Sequence, residues 1–118
     1  MPASPHLHLL CGKIGAGKST LAAELSMQPE TVLISEDAWL KALFADDIAT
    51  GADYVRFSDR LKTAMEPHVL GLLAKGISVV LDFPANTRSQ RDWLKHLSVQ
   101  SGVPHVLHYL DASDALCL

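Results

Sequence analysis

Four short runs of apolar residues are spaced along the chain, and each run is nearly continuous rather than alternating. They cover residues 6–11 (HLHLLC), 31–35 (TVLIS), 77–83 (ISVVLDF) and 105–110 (HVLHYL). Short runs of this kind, rich in Leu, Val and Ile and close to Gly or Pro, are typical of strands that are buried on both faces. The pattern therefore predicts four buried strands.

The segments between these runs carry apolar residues at helical spacing. They predict a helix over residues 18–27 and a short helix over residues 36–47, with Trp, Leu and Phe on its apolar side. The stretch 53–75 is also helical in its spacing but contains Pro67, so we expect a kink or two helices there. A last helix, capped by Asn86 or Thr87, is predicted to run to residue 100.

Strand and helix thus alternate from one end of the chain to the other. That order, with strands apolar on both faces, predicts an α/β fold in which helices cover both faces of a mainly parallel sheet. The chain has 118 residues, of which 48% are hydrophobic. This length suits one domain with a core of its own, so we expect residues 1–118 to form a single domain.

Charge and cysteine content exclude several classes of protein. Ten Lys and Arg stand against thirteen Asp and Glu, and no basic block is long enough to follow a nucleic-acid backbone. This argues against non-specific nucleic-acid binding. Cys11 and Cys117 form neither a disulfide framework nor a paired metal motif. Because we find no signal peptide and no apolar stretch of about 18 residues, we expect a cytoplasmic protein without a membrane partner.

Residues 11–20 read CGKIGAGKST, and they match the phosphate-binding pattern G-x-x-x-x-G-K-[ST] without a mismatch. The glycines allow the backbone to turn its N–H groups inward, and the N-terminus of the following helix favours an anion. Lys18 would reach the β- and γ-phosphates of a nucleotide, and Ser19 would bind Mg²⁺. Thr20 could add a hydroxyl towards the α-phosphate. Since a strand precedes the loop and a helix follows it, we favour a phosphate site over a glycine-rich turn.

Two carboxylates follow predicted strands and are candidates for the acceptor side of the site. Asp37 follows the second strand, with Glu36 beside it as a competitor, and Asp82 ends the third. In an open parallel sheet, groups that act on a ligand lie just past the carboxyl ends of the strands. Helix capping alone could also explain Asp37, and a turn could explain Asp82.

The segments GKIGAGKST, ISED and VVLDFPANTRSQR together resemble those of small phosphate-loop (P-loop) kinases. The resemblance is to the nucleotide-kinase-like branch with gluconate and shikimate kinases, zeta-toxin-type kinases, chloramphenicol phosphotransferase and polynucleotide kinase. It extends to bacterial AAA family ATPase proteins. It implies a three-layer P-loop NTPase fold that binds ATP and Mg²⁺. The implied nucleotide-binding residues are Gly12, Gly15, Ala16, Gly17, Lys18, Ser19 and Thr20.

The same resemblance implies roles for particular side chains. Lys18 and Asp37 would be catalytic, with Asp37 as the base towards the acceptor hydroxyl, and Ser19 and Asp82 would hold the metal. The chain ends at residue 118, where the resemblance places a lid helix and a last strand. We therefore expect an ATP-binding kinase that phosphorylates a hydroxyl of a small-molecule or nucleotide acceptor, without its C-terminal lid. The alternative is a nucleotide-binding module or a weak ATPase without phosphotransfer.

Overall fold

The computed structural model describes residues 5–11, 17–85 and 87–109. Within these ranges the chain alternates between strand and helix, as the apolar pattern predicts. The elements are β1 (Leu7–Cys11), α1 (Lys18–Ser26), β2 (Thr31–Ser35), α2 (Glu36–Phe44), α3 (Gly51–Ala74), β3 (Ser78–Asp82), α4 (Arg88–Ser101) and β4 (His105–Tyr109).

The four strands form one sheet in the order β2-β3-β1-β4, and every pair is parallel. This confirms the predicted parallel α/β sheet. Parallel strands place all their carboxyl ends at one edge, which we call the carboxyl edge. The register aligns Ser35 of β2 with Asp82 of β3 there. The segments that follow β2 and β3 therefore leave the sheet at the same edge.

Helices cover both faces of the sheet, which gives the three layers expected of the fold. On one face, strand residues such as Leu7 and Leu81 belong to the larger core cluster together with residues of α3 and α4. On the other face, Leu10 and Val80 form a smaller cluster with Ala22 of α1. Because β3 is central, Val79, Val80 and Leu81 are all fully buried.

The long helix α3 is continuous, although it contains Pro67. Two separate helices were one of the outcomes expected from the sequence, and that outcome is wrong. Pro67 lies on the exposed side of α3, between the buried residues Met65 and Val69. Proline has no N–H, so the carbonyl four residues before Pro67 receives no hydrogen bond within the helix and can bind water instead. The row of buried residues on the other side of α3 continues past Pro67.

The short helix α2 buries a narrower face than the apolar pattern predicts. Leu40 is buried and Phe44 packs against the larger core cluster, whereas Trp39 and Leu43 are 39% and 54% exposed. Residues four apart lie on one side of a helix, so Leu40 and Phe44 share the core-facing side while Trp39 and Leu43 share another. The helix also ends at Phe44, three residues before the predicted end.

Helix α4 begins at a capping box. Thr87 accepts a hydrogen bond from the Gln90 amide at 3.2 Å, and the Gln90 side chain accepts one from the Thr87 amide at 3.1 Å. The other predicted cap, Asn86, lies outside the described residues. Gly102 follows the helix with φ 67°, a left-handed conformation that favours glycine. No helix in the described ranges is both long and apolar enough to cross a membrane.

Candidate functional site

The N-terminus of α1 lies at the carboxyl edge of the sheet. Its N-cap is Gly17, which has φ 88°, a conformation that costs little only for glycine. Glycine also has no side chain to occupy the amide donors of the first turn, which leaves them for an anionic ligand. The predicted loop residues Gly12, Gly15 and Ala16 lie outside the described residues, so the loop itself remains a prediction.

Lys18 and Asp82 form an ion pair at this edge. Lys18 is the first residue of α1 and Asp82 is the last residue of β3, and the lysine Nζ lies 3.4 Å from the carboxylate Oδ1. Their side chains are 23% and 13% exposed. Partial burial strengthens the attraction between two opposite charges compared with a fully hydrated pair. The structure thus brings together two of the predicted site residues, 64 positions apart in sequence.

Ser19 and Thr20 follow Lys18 in the first turn of α1, and both are exposed. Hydroxyl and carboxylate oxygens are the ligand type that Mg²⁺ prefers, commonly one or two protein groups together with water and phosphate oxygens. Ser19 and Asp82 provide such a donor set at the same edge. The described residues contain no group of three or more His, Cys, Asp or Glu side chains that could hold a metal ion.

Asp37 lies in the first turn of α2 with its side chain 83% exposed. It pairs with Lys41, one turn further along, at 3.9 Å. The cap of α2 is Ser35, whose hydroxyl accepts a hydrogen bond from the Ala38 amide at 3.4 Å. Capping therefore does not account for Asp37, and its carboxylate is accessible to a ligand.

Glu36, the neighbour of Asp37, is in the opposite environment. It is only 3% exposed. The Tyr54 hydroxyl donates a hydrogen bond to its Oε1 at 2.5 Å, and the Ser58 hydroxyl donates one to its Oε2 at 2.7 Å. Both donors lie on α3, four residues apart and thus on one face of the helix. The local sequence indicates Glu36 only as an alternative base and gives no sign of these partners, which lie 18 and 22 positions away.

The Tyr54 phenol responds to this environment. Its pKa is raised well above the usual value, first by burial, then by the hydrogen bond to Glu36 and by the negative charge of Glu36, with a smaller contribution from the charge of Asp37. On the exposed side of α3, the pKa of the Asp53 carboxyl is lowered, chiefly because the Ala49 amide donates a hydrogen bond to it. Tyr54 thus lies within electrostatic range of both acidic residues of α2.

The arginines on α3 and α4 contact neighbouring groups. The guanidinium groups of Arg56 and Arg60 lie 4.7 and 5.4 Å from the centre of the Phe57 ring, within the range of cation–π attraction. Arg91 donates a hydrogen bond to the Ala85 carbonyl at 3.3 Å, and Arg88 is exposed. Arg56, Arg60 and Arg91 thus make contacts within the protein that do not depend on a ligand.

Residues 7–118 match the sequence model of a family described as an AAA domain. The chain belongs to this family. The match includes both partners of the Lys18–Asp82 pair and the two acidic residues of α2. No curated protein is similar enough in sequence to match the domain.

Solved structures share the fold of this AAA domain. It superimposes with a TM-score of 0.74 and 21% identity on a chain of the Pnkp1/Rnl/Hen1 complex, covering 91% of the domain and 35% of that chain. For the Mycobacterium tuberculosis APS kinase CysC, the TM-score is 0.68 with 17% identity, covering 95% of the domain and 79% of the kinase. The same kinase in complex with AMPPNP and APS gives 0.65 and 18%, covering 97% and 68%. The domain therefore has the fold of P-loop kinases.

Proposed function

We propose that this AAA domain binds ATP with Mg²⁺ and transfers the γ-phosphate to a hydroxyl group of a small-molecule or nucleotide acceptor. The observation that carries the proposal is the Lys18–Asp82 pair at the carboxyl edge. Lys18 places a positive charge at the N-terminus of α1, and it belongs to a sequence that matches the phosphate-loop pattern. The APS kinase of similar fold has been solved with AMPPNP and APS, which supports the same ligand classes here.

Each side chain has a defined task in this proposal. Lys18 would bind the β- and γ-phosphates and offset the charge that develops during transfer. Thr20 would contact the α-phosphate. Ser19 and Asp82 would hold Mg²⁺. When bound, the metal ion would neutralise charge on the phosphate oxygens.

Asp37 would act on the acceptor, and its exposed carboxylate supports that assignment. It would accept the proton of the acceptor hydroxyl as the oxygen attacks the γ-phosphorus. A new O–P bond forms, the bond between the γ-phosphorus and the bridging oxygen breaks, and ADP leaves. A positioned base of this kind typically contributes about 10²–10⁴ to the rate.

The test separates nucleotide binding from transfer. The protein is incubated with Mg²⁺ and ATP labelled in the γ position, together with pools of polyols, sugars and nucleosides, and labelled products are separated from phosphate. We expect Asp37→Asn to keep nucleotide affinity and to lose transfer by roughly 10²–10⁴. The control Asp47→Asn removes another exposed carboxylate close to α2 and leaves both unchanged.

Lys18→Met tests the phosphate contact itself. A charge-assisted hydrogen bond contributes about 1.5–3 kcal/mol, so we expect nucleotide affinity to fall roughly ten- to a hundredfold, with Lys41→Met as the exposed control. Release of phosphate without any labelled acceptor product would point to the weak ATPase instead. Nucleotide binding without either product would support a binding module.

A further inference from the structure

Glu36 and Asp37 are adjacent acidic residues with opposite surroundings. Glu36 is 3% exposed, whereas the Asp37 side chain is 83% exposed. Each carboxylate oxygen of Glu36 already accepts a hydrogen bond from a hydroxyl of α3. An acceptor hydroxyl would have to displace one of these donors to reach Glu36, while Asp37 can be reached from solvent.

We propose that Glu36 is a positioning residue that fastens α3 to the start of α2 and so sets the wall of the acceptor site beside Asp37. The inference rests on the proposed function, because it concerns the acceptor of that reaction. Its basis is the pair of hydrogen bonds from Tyr54 and Ser58 to the two oxygens of one buried carboxylate.

Burial makes this attachment specific. A carboxylate taken out of water is costly unless its oxygens are hydrogen-bonded, so α3 is favoured in the arrangement that supplies both donors. Two attachment points one helical turn apart restrain both the rotation of α3 and its position along its axis. A second contact supports the same arrangement, since the rings of Phe44 in α2 and Phe57 in α3 stack at 4.4 Å.

The attachment bears on the acceptor because of where α3 lies. The hydroxyls of Tyr54 and Ser58 both donate to Glu36, the residue that directly precedes Asp37 in the first turn of α2. This face of α3 therefore packs against the turn of α2 that carries Asp37. Glu36 also precedes Asp37 directly, so holding its side chain restrains the backbone that presents the base. Loosening the attachment should weaken acceptor binding more than nucleotide binding.

Single hydroxyl deletions test the attachment with little risk to folding. Ser58→Ala and Tyr54→Phe each remove one donor to Glu36. Thr63→Ala is the matched control, because the Thr63 hydroxyl donates only to the Asp59 carbonyl of its own helix at 3.0 Å. We expect each test variant to raise the KM for the acceptor roughly two- to tenfold, and the double variant more, with nucleotide affinity unchanged. Ser58→Thr keeps a hydroxyl donor, so the KM for the acceptor should stay at the wild-type value.

Two further measurements separate a positioning role from a general loss of stability. Amide hydrogen exchange over residues 54–58 should accelerate in the test variants and not in Thr63→Ala. Glu36→Gln should still transfer phosphate, with a raised KM and an unchanged pH profile for kcat, since Asp37 remains the base.

The results that would contradict the positioning role of Glu36 differ from those that would contradict the proposed function. An acceptor KM that stays at the wild-type value in the double variant defeats the positioning role, as does Glu36→Gln losing transfer as fully as Asp37→Asn. If the wild-type protein transfers no phosphate to any acceptor, the proposed function fails, and this inference fails with it.

Discussion

Lys18 and Asp82 form a partly buried ion pair at the N-terminus of α1, where the proposed function places the phosphates of the nucleotide. In that proposal the phosphate would compete with Asp82 for the ammonium group of Lys18, beside the amide donors of the first turn of α1. The same carboxylate is the candidate metal ligand. Nucleotide binding as proposed would therefore exchange one charge pairing for another, and the net gain in binding free energy would depend on how well the metal ion offsets the lost Lys18–Asp82 attraction.

The sequence alone does not show which of the adjacent residues Glu36 and Asp37 of α2 is buried. The motif and the strand ends predict Lys18, Asp37 and Asp82 as site residues, because each lies in or directly after a feature that is visible in the local sequence. Spacing alone does not separate Glu36 from Asp37, since consecutive helix positions point about 100° apart and only the packing of α3 decides which one is buried. The partners of Glu36 become visible only when α3 is placed against α2.

A histidine pair gives the first prediction. The Nδ1 atom of His8 lies 3.0 Å from the Nε2 atom of His108 on the face of the sheet that also carries α1. The pKa of His8 is lowered by burial first, and then by the charges of His108 and His6. The His8 side chain therefore binds a proton more readily in the unfolded chain than in the folded one. The contribution of neutral His8 to the free energy of unfolding is fully present above about pH 6.5 and is lost as the pH falls through the lowered pKa.

Urea unfolding at about pH 7.5 and about pH 5 measures this loss. The decrease in the free energy of unfolding between the two values should be smaller in His8→Gln than in the wild type. His105→Gln, on the opposite face of β4, serves as the control and should keep the wild-type decrease. An identical decrease in His8→Gln and the wild type would show that other groups control the acid response.

At the scale of elements, the sequence predicts the type and order of the helices and strands, but it predicts their first and last residues less accurately. Nearly continuous apolar runs and helical spacing predict all eight elements. The expectation that all four strands are buried is wrong for β2 and β4, because they are the edge strands, and Val32 and Leu107 are 38% and 39% exposed. The end of α2 and the unbroken course of α3 depend on tertiary packing. The stripe of Phe57, Leu61, Met65, Val69 and Leu73 holds α3 against the sheet on both sides of Pro67.

Pro67 gives the second prediction. Proline in a helix interior costs about 3 kcal/mol, partly through the lost hydrogen bond to the carbonyl four residues earlier. Its rigidity also restricts the unfolded chain, which offsets this by about 0.4–1 kcal/mol. Since Pro67 is exposed and the helix is continuous, Pro67→Ala should raise the free energy of unfolding by about 2 kcal/mol.

Gly71→Ala is the matched comparison on the same helix. A Cβ atom there meets nothing within 4 Å, so the gain should be about 0.8–1 kcal/mol from helix propensity alone. Both values follow from urea midpoints with an unchanged slope. A Pro67→Ala variant no more stable than the wild type would mean that the helix is already adapted to the proline, for example by hydration of the Thr63 carbonyl.

At the scale of the whole molecule, the two layers of helices differ in how firmly they are held. The larger cluster combines strand residues with the long buried stripe of α3 and with Leu94 and Leu97 of α4, whereas α1 contributes a single fully buried residue, Ala22, to the smaller cluster. The helix that carries the candidate phosphate site therefore buries fewer apolar side chains than α3. Ligand-binding segments are commonly drawn from the less stable parts of a fold.

This difference gives the last prediction, which hydrogen exchange followed by mass spectrometry can measure. Without nucleotide, amides of α1 should exchange faster than those of β3, because opening α1 exposes few apolar contacts while β3 is central in the sheet. Adding ATP with Mg²⁺ should slow exchange in α1, since bound phosphate stabilises only states in which the helix N-terminus is formed. The edge strand β4 should keep its rate and serves as the internal control. Equal slowing in α1 and β4 would indicate a global effect of the ligand, and an unchanged α1 would place the nucleotide away from Lys18.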